Sequence, residues 1–165
     1  VNNSIPPDLL STISNGLGAT TTITYEPSSS YTNTLLPFIV QTVSSITVND
    51  GNGNSSTTTY TYSGGLFDYV DREFRGFEYV KATLPNGTTT ESWFKQDDIF
   101  KGLRYEQITK DSLGNIYTRT YNTYQSISPY TGVNFPYLSQ KDDYVYDGTP
   151  TYKQATTSFT YDSYG

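Results

Sequence analysis

Catalysis needs a group that titrates or attacks near neutral pH, and this sequence offers few. The chain contains no His and no Cys. That removes Ser-His-Asp chemistry, thiol nucleophiles, disulfides, thiolate metal sites and the usual zinc sites. Carboxylates remain. Asp68, Asp71, Asp97, Asp98, Asp142 and Asp143 are the candidates for a glycosidase pair, two acids roughly 5–10 Å apart across a sugar. Extended backbone sends Asp97 and Asp98 to opposite sides, and Asp142-Asp143 stands at a strand start beside Lys141. Turn formation and solvation explain these acids more simply, so no enzymatic activity is expected.

Three further constellations bear on binding. Asp50-Gly51-Asn52-Gly53-Asn54 spaces oxygen ligands like the opening of a calcium loop. Its sixth place is Ser55 and its twelfth Thr61, where such a loop needs Gly and Glu, so a plain hairpin is expected, with no metal and no cofactor. Trp93, alone among 17 Tyr and 8 Phe, is the candidate for stacking on a sugar ring. Arg72-Glu73-Phe74-Arg75-Gly76-Phe77 is the densest mixture of charge and aromatic surface. On a strand, Arg72, Phe74 and Gly76 share one face, and Glu73, Arg75 and Phe77 the other. Gly76 is where a bulge or a close backbone approach is expected. The expected use of this cluster is structural.

The elements that hold these residues are strands. Thr, Val, Ile, Tyr and Phe come in short runs divided by Gly, Asn, Asp and Pro, and helical periodicity is almost absent. Residues 19–25 alternate well, and 38–48 hold a second strand or two. The Asp50–Asn54 turn leads to a return strand over 55–62, which Gly64-Gly65 is expected to break. Strands follow over 66–70 and 74–83, then a turn at Pro85-Asn86-Gly87 and a return over 88–94. Residues 95–101 are the least strand-like, and Gln96-Asp97-Asp98 is read as the cap of one helical turn. A hairpin crosses Asp111-Ser112-Leu113-Gly114, with arms over 103–110 and 115–124. Residues 126–138, with Pro129, Gly132 and Pro136, read as a loop. The last pair is 143–147 with 152–161.

Composition narrows the partners. The chain has 165 residues and a net charge of -6, with a pI near 4.4. An acidic chain repels a phosphate backbone, so no nucleic acid partner is expected. No apolar run reaches the roughly 20 residues of a membrane span. Only 16% of residues are charged, against about a quarter in a typical globular chain. The Tyr content argues against disorder. The chain begins at Val1 and contains no Met, which reads as a processed or excised piece of something longer, and no signal peptide is visible.

One motif recurs. Tyr60-Thr61-Tyr62, Tyr144-Val145-Tyr146-Asp147-Gly148 and Phe159-Thr160-Tyr161-Asp162-Ser163-Tyr164-Gly165 place two aromatics on one strand face, the latter two before an Asp-led turn. Phe159 to Gly165 resembles the Tyr-x-Tyr-Asp-x-x-Gly pattern of YD repeats in Rhs and teneurin-like proteins. Asp111 to Asn115 resembles the turn of the same unit. Gly16 to Tyr25, Leu36 to Val40, Tyr62 to Asp68, Arg72 to Val80 and Phe100 to Leu103 resemble, in order and spacing, blocks of the TcdB/SpvB family of bacterial toxin components.

In that family this region lies between a propeller-like portion and the YD repeats, within a long spiralling β-sheet. The sheet closes into a hollow shell around a toxic C-terminal region of the same or a partner chain. The resemblance implies a mainly antiparallel all-β domain of consecutive hairpins over 1–165, a fragment of a larger Rhs/TcB-like toxin. The implied role is a structural wall segment, secreted and bacterial, with no catalysis of its own. Its implied partners are the rest of the parent chain or a partner subunit, the enclosed cargo and, through bare edge strands, other copies. The signature residues would be Arg72, Glu73, Phe74, Arg75, Gly76, Phe77, Asp111, Gly114, Tyr161, Asp162 and Gly165. The alternative is a secreted, adhesin-like β-module that reads glycans or surfaces with Trp93.

Overall fold

The computed structural model describes residues 8–162. Ten strands follow one another: β1 (Thr12–Ser14), β2 (Thr20–Pro27), β3 (Gln41–Asn49), β4 (Ser55–Asp68), β5 (Glu73–Thr83), β6 (Thr89–Phe94), β7 (Arg104–Lys110), β8 (Ile116–Tyr130), β9 (Val133–Val145) and β10 (Lys153–Ser158). They form one sheet in sequence order, every neighbour antiparallel, with β1 and β10 as its open edges. The expected all-β architecture of consecutive hairpins is the one observed. The one helical piece among the described residues is a short 3₁₀ turn, Ser28–Ser30.

The turns come from local chemistry, and two of them are the same device. Asp50 Oδ1 accepts the N–H groups of Asn52 (2.7 Å) and Asn54 (3.1 Å), while its Oδ2 accepts Asn54 Nδ2 (2.7 Å). Asp111 repeats this with Leu113 N (2.9 Å), Asn115 N (2.8 Å) and Asn115 Nδ2 (2.8 Å). Each turn has a glycine at positive φ just before its Asn, Gly53 at 95° and Gly114 at 90°. An Asp-x-x-Gly-Asn turn therefore sets the register of both β3–β4 and β7–β8. Asp147 and Gly148, at φ 49° and 72°, close the β9–β10 connection with Thr149 N donating to Tyr146 O. That is the Asp-Gly turn whose twist suits a hairpin.

Three regions depart from the sequence reading. Gly64-Gly65 does not break a strand, because β4 runs through it to Asp68. Residues 126–138 are not a loop but the outer halves of β8 and β9. β7 pairs with β8 only as far as Tyr121, and β10 with β9 only as far as Gln140. The arm beyond is a two-stranded ribbon that pairs with neither β7 nor β10, and Pro136 stands opposite Ser126 in it, where a proline costs the sheet least. Gln96-Asp97-Asp98 caps no helix. Asp97 Oδ1 accepts Ile99 N (3.1 Å) and Phe100 N (2.9 Å) in a turn.

No hydrophobic residue among those described is buried; the buried side chains are Ser28, Thr42, Arg75 and Asp142. A single sheet has no second layer to make a core, so cross-strand pairs hold it together. One face carries the row Ser63, Tyr79, Trp93, Glu106, Tyr121, Asp142, Thr156. Beside it runs Thr61, Lys81, Glu91, Ile108, Arg119, Tyr144, Gln154. Arg119 Nε meets Glu106 Oε1 at 2.6 Å, and Lys110 Nζ meets Glu91 at 2.8 Å.

Candidate functional site

The densest chemistry gathers where β4 turns into β5. Asp68 starts the turn by accepting the N–H groups of Val70 (2.8 Å) and Asp71 (3.0 Å). Arg72 follows at φ 54°, so it belongs to the turn and not to a strand face. Across the hairpin Gly65 pairs with Phe77 and Phe67 with Phe74, which leaves one extra residue on β5. The extra residue is accommodated at Gly76, φ 81°, and a β-bulge results. The bulge reverses the expected alternation: Phe74 and Phe77 now share a face, their rings 5.8 Å apart.

The β6–β7 connection folds back over this bulge. Lys95 and Leu103 close its neck with Lys95 N donating to Leu103 O at 2.9 Å. Gln96 Nε2 donates to Gly64 O (2.8 Å) and Gly76 O (2.9 Å), fastening the two positive-φ glycines of adjacent strands. Asp98 then reaches Arg75, whose side chain is completely enclosed. Arg75 Nη2 lies 2.6 Å from Asp71 Oδ2, 2.6 Å from Asp98 Oδ1 and 3.5 Å from Asp68 Oδ2; its Nε lies 3.6 Å from Glu73 Oε2. Lys101 pairs with Glu73 on the outside.

Three of the six candidate acids thus converge, with oxygens of Asp68, Asp71 and Asp98 within 4.8 Å of one another. A guanidinium occupies the middle of them. The arrangement offsets part of the acids' charge and ties three chain segments together, and the carboxylates are already engaged as acceptors. The other candidates lie apart. Asp97 holds its own turn. Asp142 accepts Thr156 Oγ1 (2.6 Å), Gln140 Nε2 (2.8 Å) and Gln154 Nε2 (3.2 Å). Asp143 accepts Thr120 Oγ1 (2.7 Å) and pairs with Lys141 (2.7 Å).

Of the remaining signature residues, Asp111 and Gly114 make the turn described above. Tyr161 packs its ring 4.8 Å from Tyr137, beside Asp162 in the stretch after β10. Gly165 lies outside the described residues. Trp93 sits in mid-sheet, its ring 5.1 Å from Tyr79 and tilted by 56°. Sequence reasoning did not find Gln96 as the clasp or Arg75 as the centre of an acid cluster. The signals were there in outline, a polar non-strand segment and an Arg flanked by acids, but both roles depend on the loop folding back.

Five aspartates are held below the ordinary value of 3.8: Asp50 by the Asn54 side chain, Asp111 by the Asn115 side chain, Asp68 by the Asp71 and Val70 N–H groups, Asp142 by the Thr156 hydroxyl, and Asp143 by Lys141. The unfolded chain therefore takes up protons first as pH falls. The stability these groups contribute is complete above the ordinary value and drains away as pH drops through their lower folded values. We expect the urea midpoint to hold from pH 7 to 5 and to fall steadily toward pH 2.5, and Asp142→Asn to flatten that fall. A midpoint unchanged between pH 5 and 2.5 would contradict the assignment.

A family model described as the insecticide toxin TcdB middle/N-terminal region matches residues 1–108. No curated protein matches the chain in sequence. The crystal structure of TcdB2-TccC3 without its hypervariable C-terminal region superposes with a TM-score of 0.73 at 19% identity, over 86% of this chain and 11% of that one. TcdB2-TccC3 itself gives 0.71 at 20% identity, over 85% and 11%. The Tc holotoxin pore of Photorhabdus luminescens gives 0.72 at 20% identity, over 85% and 10%. The chain spans about a tenth of the solved chains it resembles, and at these identities the likeness is one of fold.

Proposed function

The chain belongs to the insecticide toxin TcdB middle/N-terminal region family, and from that premise we propose that it is a structural wall segment of an Rhs/YD-repeat toxin β-shell that encloses a toxic C-terminal cargo. Residues 1–165 act as one all-β unit within a longer secreted bacterial polypeptide. Its partners are the rest of that polypeptide or a partner toxin subunit, and the enclosed cargo. It performs no catalysis. The wall works by hydrogen bonding. A continuous antiparallel ladder leaves no gap through which a protease loop or a cargo segment can pass.

The observation that supports this reading is the open, single-layer sheet of ten consecutive strands with no buried hydrophobic residue among those described. A free-standing domain of this size normally closes on a core. A wall segment instead continues at both edges, here β1 and β10. An isolated chain would leave those edges bare and prone to pair with other copies. The junction at Gly76 gives the wall local curvature, since bulges increase twist.

Limited proteolysis of the full-length parent toxin tests the proposal. The cargo region should survive a protease concentration that degrades it when released, and opening the wall with Gly65→Val in this segment should abolish the protection. Cargo cleaved at equal rates in the intact and the opened parent would overturn encapsulation.

A further inference from the structure

The chain contains three Asn-Gly steps, Asn15-Gly16, Asn52-Gly53 and Asn86-Gly87, each in a turn between strands. An asparagine before a glycine can react with its own backbone. The glycine nitrogen attacks the side-chain carbonyl carbon, and the bare glycine leaves room for the five-membered ring that forms. Sequence alone makes the three steps equivalent. All three asparagines are exposed, so access of water does not separate them either. Hydrogen bonding does.

Two of the steps are held. Asn15 Oδ1 accepts Leu17 N at 2.8 Å and Ala19 N at 3.1 Å, and Gly16 N donates to Ser14 Oγ at 3.4 Å. Asn86 Oδ1 accepts Thr88 N at 3.0 Å, Gly87 N donates to Leu84 O at 2.9 Å, and Gly87 lies against Ser112 of the next turn. Swinging either side chain onto its glycine nitrogen breaks these bonds. Asn52 differs. Its own N–H donates to Asp50 Oδ1 at 2.7 Å, but among the described residues no hydrogen bond holds its side-chain amide or Gly53 N. Gly53 has a φ of 95° and open space where a Cβ would stand. The other asparagines of this turn are tied down, Asn49 Oδ1 by Gly51 N at 2.8 Å and Asn54 Nδ2 by Asp50 Oδ2 at 2.7 Å.

We propose that Asn52-Gly53 is a self-modification site, which deamidates in the folded protein ahead of the other two steps. Gly53 N forms a bond to Asn52 Cγ, and the bond from Cγ to the amide nitrogen breaks. The proton of Gly53 N leaves with that nitrogen as ammonia. Water then opens the cyclic imide at one of its two carbonyls. One opening gives aspartate at position 52, and the other gives its isomer, in which the backbone runs through the former side chain. Either product sets a second carboxylate two residues from Asp50. The isomer also lengthens by one carbon the turn in which Asp50 Oδ1 fixes the β3–β4 register through Asn52 N and Asn54 N. The site is a clock on that turn, and it depends on the turn alone, not on the role of the sheet as a wall.

Peptide mapping by mass spectrometry tests this on the full-length parent protein, incubated in mildly alkaline buffer both folded and unfolded in urea. In the folded protein, the peptide holding Asn52 should gain the mass of an amide-to-acid exchange roughly tenfold faster than those holding Asn15 or Asn86, the effect of the bonds that restrain those two. In urea the three rates should converge, because unfolding releases the restrained pair. Asn52→Gln, whose longer side chain closes a less favourable ring, should abolish the gain in that peptide. Equal rates in the folded protein, an Asn52 lead that persists undiminished in urea, or a gain that survives Asn52→Gln would each overturn the assignment.

Discussion

Arg75→Met is expected to destabilise the chain, and the deficit is expected to shrink on acidification. Arg75 is the one fully enclosed cation among the described residues, 4% exposed, with Asp71 and Asp98 each 2.6 Å from the same nitrogen. Methionine fills much of the volume but removes the charge. Three carboxylates whose oxygens lie within 4.8 Å of one another would then face each other, with Glu73 alongside. The guanidinium is enclosed but the acids around it keep contact with water, Asp71 and Asp98 at 47% and 76% side-chain exposure, so solvent screens part of the repulsion that is left behind. For a domain of this size the expected loss is about 5 °C in Tm.

The pH dependence separates charge from packing. In the native chain, acid weakens the fold, because its engaged aspartates must take up protons they resist. In Arg75→Met the same protons relieve repulsion at the cluster, so native and variant Tm values should converge between pH 7 and pH 4. Arg75→Lys should fall between the two, since both carboxylates meet one nitrogen, Nη2, and an ammonium keeps that charge on a shorter side chain. Thermal melts followed by circular dichroism give the comparison. A deficit equal at both pH values would mean that Arg75 acts by filling space.

How much of this was legible beforehand depends on the range of the interactions. The Asp50, Pro85 and Asp111 turns are written in four or five adjacent residues, and all three stand where their Asn, Asp and Gly predicted. The Gly76 bulge was legible as an option, because glycine among bulky strand residues has few other uses, but its effect on parity was not. The faces assigned to Phe74 and Phe77 failed for that reason. The 126–138 ribbon was hidden by its prolines. Pro136 is tolerated only because β10 stops short of it, and strand ends on neighbouring elements are not readable from a local window. The Arg75 cluster was illegible for a related reason. Asp98 lies 23 residues away, and nothing in 95–103 alone announces that it folds back onto a bulge. The resemblance reached further than the physics, since order and spacing of weak blocks carry information about global topology that no single block holds.

Gly65→Ala is the second large effect, and its cause differs from that of Gly76→Ala a few ångströms away. Gly65 has ordinary strand backbone, so any residue tolerates its φ, but a Cβ there would lie 2.5 Å from Asn33 Oδ1 and 3.1 Å from both Leu36 Cδ2 and Phe77 Cε1. Gly76 has open space around its would-be Cβ and a φ of 81°. One substitution is limited by sterics, the other by backbone strain. Strain at Gly76 should cost about 1–2 kcal/mol for Ala and more for Val. Overpacking at Gly65 should cost about 2–3 kcal/mol, because the segment it displaces is itself fastened to the strand. Thr34 N and Leu35 N both donate to Gly65 O, at 3.1 and 3.0 Å, and that segment leads to Phe38 and the aromatic cluster. A double-mutant cycle distinguishes the causes. Asn33→Ala removes the nearest clashing atom, so Gly65→Ala should cost at least about 1 kcal/mol less in that background. Gly76→Ala should cost the same with or without it, since no side chain can relieve a backbone angle. Urea unfolding of the four proteins in each cycle gives the coupling. A coupling near zero for Gly65 with Asn33 would show that the strand yields to the new methyl group, and the close packing of residues 33–36 on β4 would then not be what keeps glycine at position 65.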